Sequence, residues 1–396
     1  MLTLILCLLG GLALGVLTGL IPGIHSNTVN FLLLSLVFFP GIELVVLIVG
    51  MTVTQSFVDF IPSIFFGAPD SDSFLALLPG HRLLLQGLGL KAVQLTVAGG
   101  LVAGILSVAL LPAFYFLVKE LVLVLSYIIP SLLLITIFLM ISSEKSWKKK
   151  FYAITVILLS GLLGLIVLQG KIELNNALFP LITGLFASPA LIYSLKEKTI
   201  IRKQLTNKNY INSERVLKYA FLSSIAGGLV SLFPALGPNQ AAFLLRKLIG
   251  KIRTSSYLIL LGGINTTNLV FGFFVLFFLG KTRTGASAAI KQLIPLNQDF
   301  LAIIIFTVLI SLAFGAVITI WLGKIIAVNI HKLNYQKINF IVLIFLTLII
   351  AVLTGFNGLM VYVTATAIGL LPISTNIKRT HAMACLMIPT IIIYLL

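Results

Sequence analysis

The chain has 396 residues, of which 59% are hydrophobic and only 9% charged. A soluble domain carries roughly a quarter charged residues, so a water-facing surface of this size is excluded and lipid must solvate the chain. The net charge of +17 does not point to nucleic acid, because the basic residues sit in short connections between apolar runs, as in chains that keep positive loops in the cytoplasm.

In chain order, the first twenty residues are apolar without a basic leader, which predicts a mature membrane segment rather than a cleaved signal. Apolar runs near the ~20 residues needed to cross the hydrocarbon core follow at 42–66, 88–118, 121–141, 152–168, 258–279, 301–328 and 340–353. Backbone polar groups in lipid must be satisfied within each segment, so these runs are helices; barrel-like alternation is absent. Lys145, Lys148, Lys149 and Lys150 form one basic cluster. Residues 196–218 form the one long polar stretch, with seven Lys/Arg against Glu197 and Glu214. Both are expected in the cytoplasm, with the N-terminus outside. The domain reading is a first membrane repeat at 1–195, a basic linker at 196–218 and a second repeat at 219–396. Cys7 and Cys385 lie far apart in apolar stretches and read as small hydrophobes, with no metal or disulfide spacing.

The halves share a pattern. A shift of 212 lays Gly15, Leu20, Pro22, Asn27 and Phe31 on Gly227, Leu232, Pro234, Asn239 and Phe243. Shifts one residue either side bring Gly67 onto Gly280 and Gly104 onto Gly315. Further on, Gly170, Leu174, Gly184 and Leu185 match Gly355, Leu359, Gly369 and Leu370 at a shift of 185. The jump equals about one helix, for which 119–145 is the candidate. Counting crossings from the basic loops makes the front parts inverted and the back parts parallel, so either the tail match is accidental or the count is wrong by one.

Three constellations carry chemistry. Pro22, Gly23, His25, Ser26, Asn27 and Thr28 interrupt an apolar stretch. Proline cannot donate to the helix ladder, glycine permits other backbone angles, and the polar residues are good helix starters. A broken or re-entrant helix is expected, its N–H groups facing a cavity that attracts an anion while freed carbonyls take a cation. Gly237, Pro238, Asn239 and Gln240, after Pro234, repeat the device. The plainer alternative is a kinked helix with polar contacts between helices.

In the second, Asp70, Ser71, Asp72 and Ser73 precede Pro79, Gly80, His81 and Arg82, and Asp59 sits deep in the run before them. The matching region in the other half is Lys281, Thr282, Arg283 and Thr284. Opposite charges at matched places read either as a buried ion pair, as an anion clamp centred on the planar guanidinium of Arg283, or as solvated loops. In the third, Asn265, Thr266, Thr267 and Asn268 lie within an apolar run, opposite 52–56 in the first half. Clustered neutral oxygens coordinate Na⁺, hydrogen-bond a substrate, or tie helices together.

With these residues in view, the chain resembles the large membrane subunit of the tripartite tricarboxylate transporters, in a shorter, stand-alone version. The likeness rests on the breaks at Pro22 and Pro234, the 67–73 turn followed by Pro79-Gly80 and 87–104, and Ile182-Thr183-Gly184-Leu185-Phe186-Ala187. It covers most of the chain through short Gly/Pro motifs. The resemblance implies carboxylate movement on a cation gradient, assisted by a small membrane subunit and a soluble binding protein. The chain departs from the family pattern at His25 and Ala235, where the family favours glycine, and at 67–70 and 280–283. Citrate-like specificity and dependence on a binding protein are therefore not carried over.

The expected fold is all-α: a polytopic membrane protein of about 10–12 helical segments in two related halves, arranged as inverted repeats with broken or re-entrant helices. The expected function is a non-enzymatic permease for a small organic anion, with Na⁺ or H⁺ as coupling ion and no other cofactor or metal. A polyprenyl-phosphate or other lipid-phosphate translocase is the alternative, since Pro22–Thr28 is also similar to the Pro-Gly break of such a family. An intramembrane hydrolase using Asp59, Asp70 or Asp72 with His25 or His81 is a distant third. Expected partners are membrane lipid, the anionic substrate and, through the resemblance, the two accessory subunits; a homodimer is left open.

Overall fold

Among the described residues, eight helical stretches are long and apolar enough to cross a membrane. They belong to a computed structural model that describes residues 2–21, 29–30, 33, 41–67, 77–169, 177–196, 202–206, 211–232, 237–250, 252–282, 284–332 and 335–395. Among these no strand occurs, as expected where each backbone must satisfy itself in lipid. The helices are α1 (Leu2–Leu20), α2 (Ile42–Val58), α3 (Phe60–Phe65), α4 (Leu77–Leu85), α5 (Gly89–Ala109), α6 (Leu111–Ser142), α7 (Trp147–Leu168), α8 (Leu178–Ile182), a π turn (Thr183–Ala187), α9 (Ser188–Lys196), α10 (Ser213–Leu232), α11 (Pro238–Ile249), α12 (Thr254–Leu279), α13 (Gly285–Leu293), α14 (Gln298–Asn329), α15 (Tyr335–Ser374) and α16 (Ala384–Leu395).

Prolines explain where helices differ from the apolar runs. Pro62 cannot donate to Val58, and the 42–66 run divides into α2 and α3 at Asp59. Pro112 sits in the first turn of α6, where a missing N–H is tolerated, so the chain breaks at Leu110 rather than between residues 118 and 121.

The chain forms two compact units. Unit 1 comprises Met1–Phe66, Leu75–Leu121 and Ile200–Leu333; unit 2 comprises Gly67–Phe74, Val122–Thr199 and Asn334–Leu396. Each draws on both halves of the chain.

In unit 1, α1 lies along α2 through Gly11, Gly15 and Gly19. A methyl group on Gly11 would sit 2.5 Å from the Leu47 carbonyl oxygen, and one on Gly15 would sit 2.5 Å from that of Met51. Small residues four apart let helix backbones touch in lipid, where packing rather than hydrophobicity drives association. Ser223, Gly227 and Ser231 stand 212 residues further on, and α10 uses the first two against α12. Ser223 Oγ donates to the Leu260 carbonyl at 3.1 Å, Thr267 Oγ1 donates to the Ser223 carbonyl at 3.1 Å, and Gly227 faces Thr267. The pair α10–α12 thus repeats α1–α2.

The next helices cross between the halves. Gly99 of α5 seats on the Ile259 carbonyl of α12, and Gly262 of α12 on the Thr96 carbonyl of α5. Gly104 of α5 faces Thr266 and Leu312, while its match Gly315 of α14 faces Thr54 and Phe57. Thr54 and Thr266 are themselves 212 apart, so the contact is made twice with the halves exchanged. Gly104 meets Leu312 where Gly323 meets Leu90 and Val93; one helix advances as the other recedes, so the matched helices α5 and α14 run antiparallel.

Unit 2 is organised around α15. Its 40 residues include Gly355 at φ 64°, ψ −162°, a conformation that glycine adopts freely and L-residues rarely do. Thr347 Oγ1 nevertheless lies 3.3 Å from Tyr362 Oη. Fifteen residues of straight helix would separate the two positions by about 22 Å. The element is therefore a hairpin, with one arm before Gly355 and one after it. The tyrosine hydroxyl also takes the Ser188 Oγ–H at 2.6 Å from α9. Ala187, Leu191 and Leu346 form a dry core here. Gly184 seats on Tyr362 and Ala365, and Gly369 on Leu185 and Pro189, so the segments matched at a shift of 185 run alongside each other in the same direction.

Candidate functional site

The polar residues of unit 1 gather on α2, α12 and the start of α11. Thr52, Thr54, Gln55, Ser56, Asp59 and Ser63 of α2 and α3 are at most 5% exposed, as are Asn265, Thr266 and Thr267 of α12 and Asn239 and Gln240 of α11. Unpaired polar groups are costly in an apolar interior, so each demands a partner or a ligand.

Several serve the fold. Asn265 Nδ2 donates to the Ser56 carbonyl at 3.1 Å, tying α12 to α2. Thr52 returns its proton to Ile48, Ser56 to Val53 and Thr267 to Gly263 within their own helices. That route is open to nearly any helical serine or threonine, and most buried ones here take it. Thr54, Thr266, Ser311 and Thr319 do not: their hydroxyls are buried with no hydrogen-bond partner among the described residues. Thr54 and Thr266 occupy the exchanged contacts described above. Ser311 lies one helical turn before Gly315, on the face turned to Thr54. Opposite Thr266, the place matching Ser311 is Gly100, where a methyl group would sit 2.7 Å from Thr266 Oγ1. The carbonyl of Asn268 and the whole side-chain amide of Asn30 are likewise unpaired among the described residues. Oxygen atoms withheld from the backbone in this way suit a cation or ordered water.

Residues 237–240 begin a helix. Gly237 is the N-cap, Pro238 takes the first position and Gln240 Oε1 accepts the Gly237 N–H at 2.9 Å. The twelve-residue α11 is shorter than a full crossing. Asp59 is buried at the α2–α3 joint, its N–H donating to the Gln55 carbonyl at 3.0 Å. Lys281 and Thr282 are exposed just beyond the left-handed cap Gly280 (φ 64°), which ends α12. Thr284 caps α13, its Oγ1 accepting from the Ser287 N–H at 3.1 Å. Pro22, Gly23, His25, Ser26, Asn27, Thr28, Asp70, Ser71, Asp72, Ser73 and Arg283 lie outside the described residues.

The structure therefore joins Asn265 to Ser56 of the 52–56 region, turns Thr266 to α5, and leaves Lys281 and Thr282 exposed in a loop. Sequence reasoning passed over Asn30, Gly100 and Ser311. The available signal was the Gly104–Gly315 match, with Ser311 one turn before the second glycine. The described residues contain no group of three or more His, Cys, Asp or Glu able to hold a metal. Cys7 and Cys385 are both free and buried.

Residues 5–384 match the family model described as "Tripartite tricarboxylate transporter TctA family". An uncharacterised protein of Methanocaldococcus jannaschii is 32% identical over 403 residues, spanning 99% of both chains. No solved structure matches.

Proposed function

Because this chain belongs to the tripartite tricarboxylate transporter TctA family, a family of multi-pass membrane transporters, we propose that it carries small organic anions, carboxylates foremost, on a cation gradient. The observation that carries this reading is the paired, exchanged placement of Thr54 and Thr266, buried hydroxyls held off their own helix backbones. In this reading they and Ser311 attend the coupling cation, Na⁺ or H⁺. The start of α11, with Asn239 and Gln240, faces the anion, since the N-terminal end of a helix favours negative charge. The antiparallel pair α5–α14 supports inverted repeats, because a half-turn about an axis across the helices exchanges Gly104 with Gly315 and Thr266 with Thr54. The small membrane subunit and binding protein of the family are proposed as auxiliaries whose need is set by experiment.

The test is uptake into sealed liposomes of labelled di- and tricarboxylates under imposed Na⁺ or pH gradients, with a fluorescent polyprenyl phosphate in parallel. The expected result is gradient-dependent carboxylate accumulation. Thr54→Val, isosteric but without the hydroxyl, should cut it at least tenfold while the protein still elutes as a single species. Translocation of the lipid phosphate with no carboxylate uptake under either gradient, even with the auxiliary subunits present, would replace this reading by the translocase one.

A further inference from the structure

A second polar assembly, in unit 2, has no part in the carrier site. The turn between α6 and α7 and the turn after α15 are bound to each other four times. Glu144 Oε1 accepts the Lys378 N–H at 3.0 Å and lies 3.0 Å from His381 Nε2. Lys149 Nζ donates to the Asn376 carbonyl at 3.0 Å, and Lys378 Nζ to the Ser143 carbonyl at 3.1 Å. The result is a fixed platform carrying Lys145, Lys148, Lys149, Lys150, Lys378 and Arg379. Glu144 is the single carboxylate in these two turns, and it is buried and committed to His381 and Lys378.

Three features of the platform call for an anion. Lys148, Lys149 and Lys150 occupy the first turn of α7, which holds no acidic residue; cations on the positive end of a helix dipole are unfavourable unless negative charge is supplied. Arg379 Nη1 is buried and has no hydrogen-bond partner among the described residues. Lys145 and Lys148 are exposed and make no ion pair among the described residues.

The surroundings name the source of that anion. Trp147, at the head of a membrane-crossing helix, is 85% exposed, Phe151 67% and Tyr152 44%. Lys150 Nζ lies 5.0 Å above the indole ring. Exposed Trp and Tyr beside lysines mark the headgroup level of a bilayer, where clustered Lys and Arg attract anionic lipids. We infer that the platform formed by residues 143–150 and 376–381 is a binding site for the phosphate headgroup of an anionic membrane lipid, seated against Trp147. A resident lipid of this kind holds the charged ends of unit 2 together and is distinct from any transported anion.

The chain has two tryptophans, Trp147 and Trp321, so Trp321→Phe leaves Trp147 as the reporter. This variant is reconstituted in zwitterionic vesicles containing a small, equal fraction of either brominated phosphatidylglycerol or brominated phosphatidylcholine. Bromine quenches only a neighbouring indole. The anionic lipid should quench more efficiently, by about fivefold or more per mole. Lys145→Gln, Lys148→Gln and Arg379→Gln combined should abolish the excess, and the corresponding Lys→Arg changes at 145 and 148 should keep it, which separates lost charge from lost folding. Equal quenching by the two lipids, or an excess that survives the triple change, overturns the proposal. Neither readout depends on transport.

Discussion

Unit 1 and unit 2 use the buried hydroxyls of their α-helices differently. In unit 2, Tyr362 receives Ser188 and faces Thr347, and Glu144 binds His381 and Lys378. These groups are consumed by the fold. In unit 1, Thr54, Thr266 and Ser311 keep their hydroxyls off the backbone at the places where the halves exchange contacts. The matched helices also differ in sense: α5 and α14 run antiparallel, whereas the segments around Gly184 and Gly369 run the same way. The two register shifts thus sort with the two units, 212 in unit 1 and 185 in unit 2. A buried hydroxyl in a membrane helix is open to a further partner only where the fold has not already used it.

The most damaging way to break the contrast is to separate the crossing helices of unit 1. Gly262→Val places a side chain against the Thr96 carbonyl, which is backbone and cannot swing aside. Overpacking costs roughly 1–3 kcal/mol even where side chains can give way, and more is expected here. The protein should lose its single elution peak in detergent. A normal peak would mean that α5 and α12 do not touch at this point.

A smaller effect should follow in unit 2 from Tyr362→Phe. It leaves the Ser188 hydroxyl buried without its acceptor, a loss of about 1–3 kcal/mol. The melting temperature should fall by a few degrees while carboxylate uptake persists, since the clasp is structural. Loss of uptake at unchanged stability would move Tyr362 into the transport machinery and erase the contrast between the units.

The smallest effect is in pH. Burial alone would push the Glu144 carboxyl up, but hydrogen bonds from His381 and Lys378, together with their charges, outweigh it and hold the group below its ordinary value of 4.5. A carboxyl depressed in the folded state stabilises above its ordinary value, and the contribution fades as pH falls through the depressed one. Glu144→Gln should therefore melt lower than the unchanged protein at pH 7, and the gap should close as pH drops below about 4.5. A gap constant across that range would mean that the Glu144 charge does no work in the latch.

Much of the architecture was legible because lipid imposes simple demands. Long apolar runs become helices, lysines collect at their ends, and glycines at matched intervals seat helix against helix. Gly15 with Gly227 and Gly104 with Gly315 were found by register alone. The hairpin of α15 was not foreseen as a hairpin, because apolar residues continue on both sides of Gly355 and the run was cut at Leu353. The segments around Gly184 and Gly369 nevertheless run the same way, as the crossing count has them. Nor did sequence pair Glu144 with His381, 237 positions apart: such contacts follow from tertiary packing, and a lone histidine near an apolar end carries no local sign of its partner. That Thr54 and Thr266 have no partner among the described residues was equally hidden, since a hydroxyl's choice between its own backbone and something else depends on what lies opposite.

Gly355 has a consequence for electrical orientation. A straight helix of 40 residues would be about 60 Å long, twice the hydrocarbon thickness, and would carry Lys378 and Arg379 far from Lys337. Folded at one backbone angle, its two ends lie on the same side. Gln336 at one end donates to the Leu195 carbonyl of α9, and Asn376 beyond the other accepts from Lys149 of α7. Lys145, Lys148, Lys149, Lys150, Lys337, Lys378 and Arg379 therefore share one pole of unit 2, and the membrane potential acts on them as a single block. The sense in which this unit faces the cytoplasm is set jointly by its lysines and by the glycine that brings them to the same end.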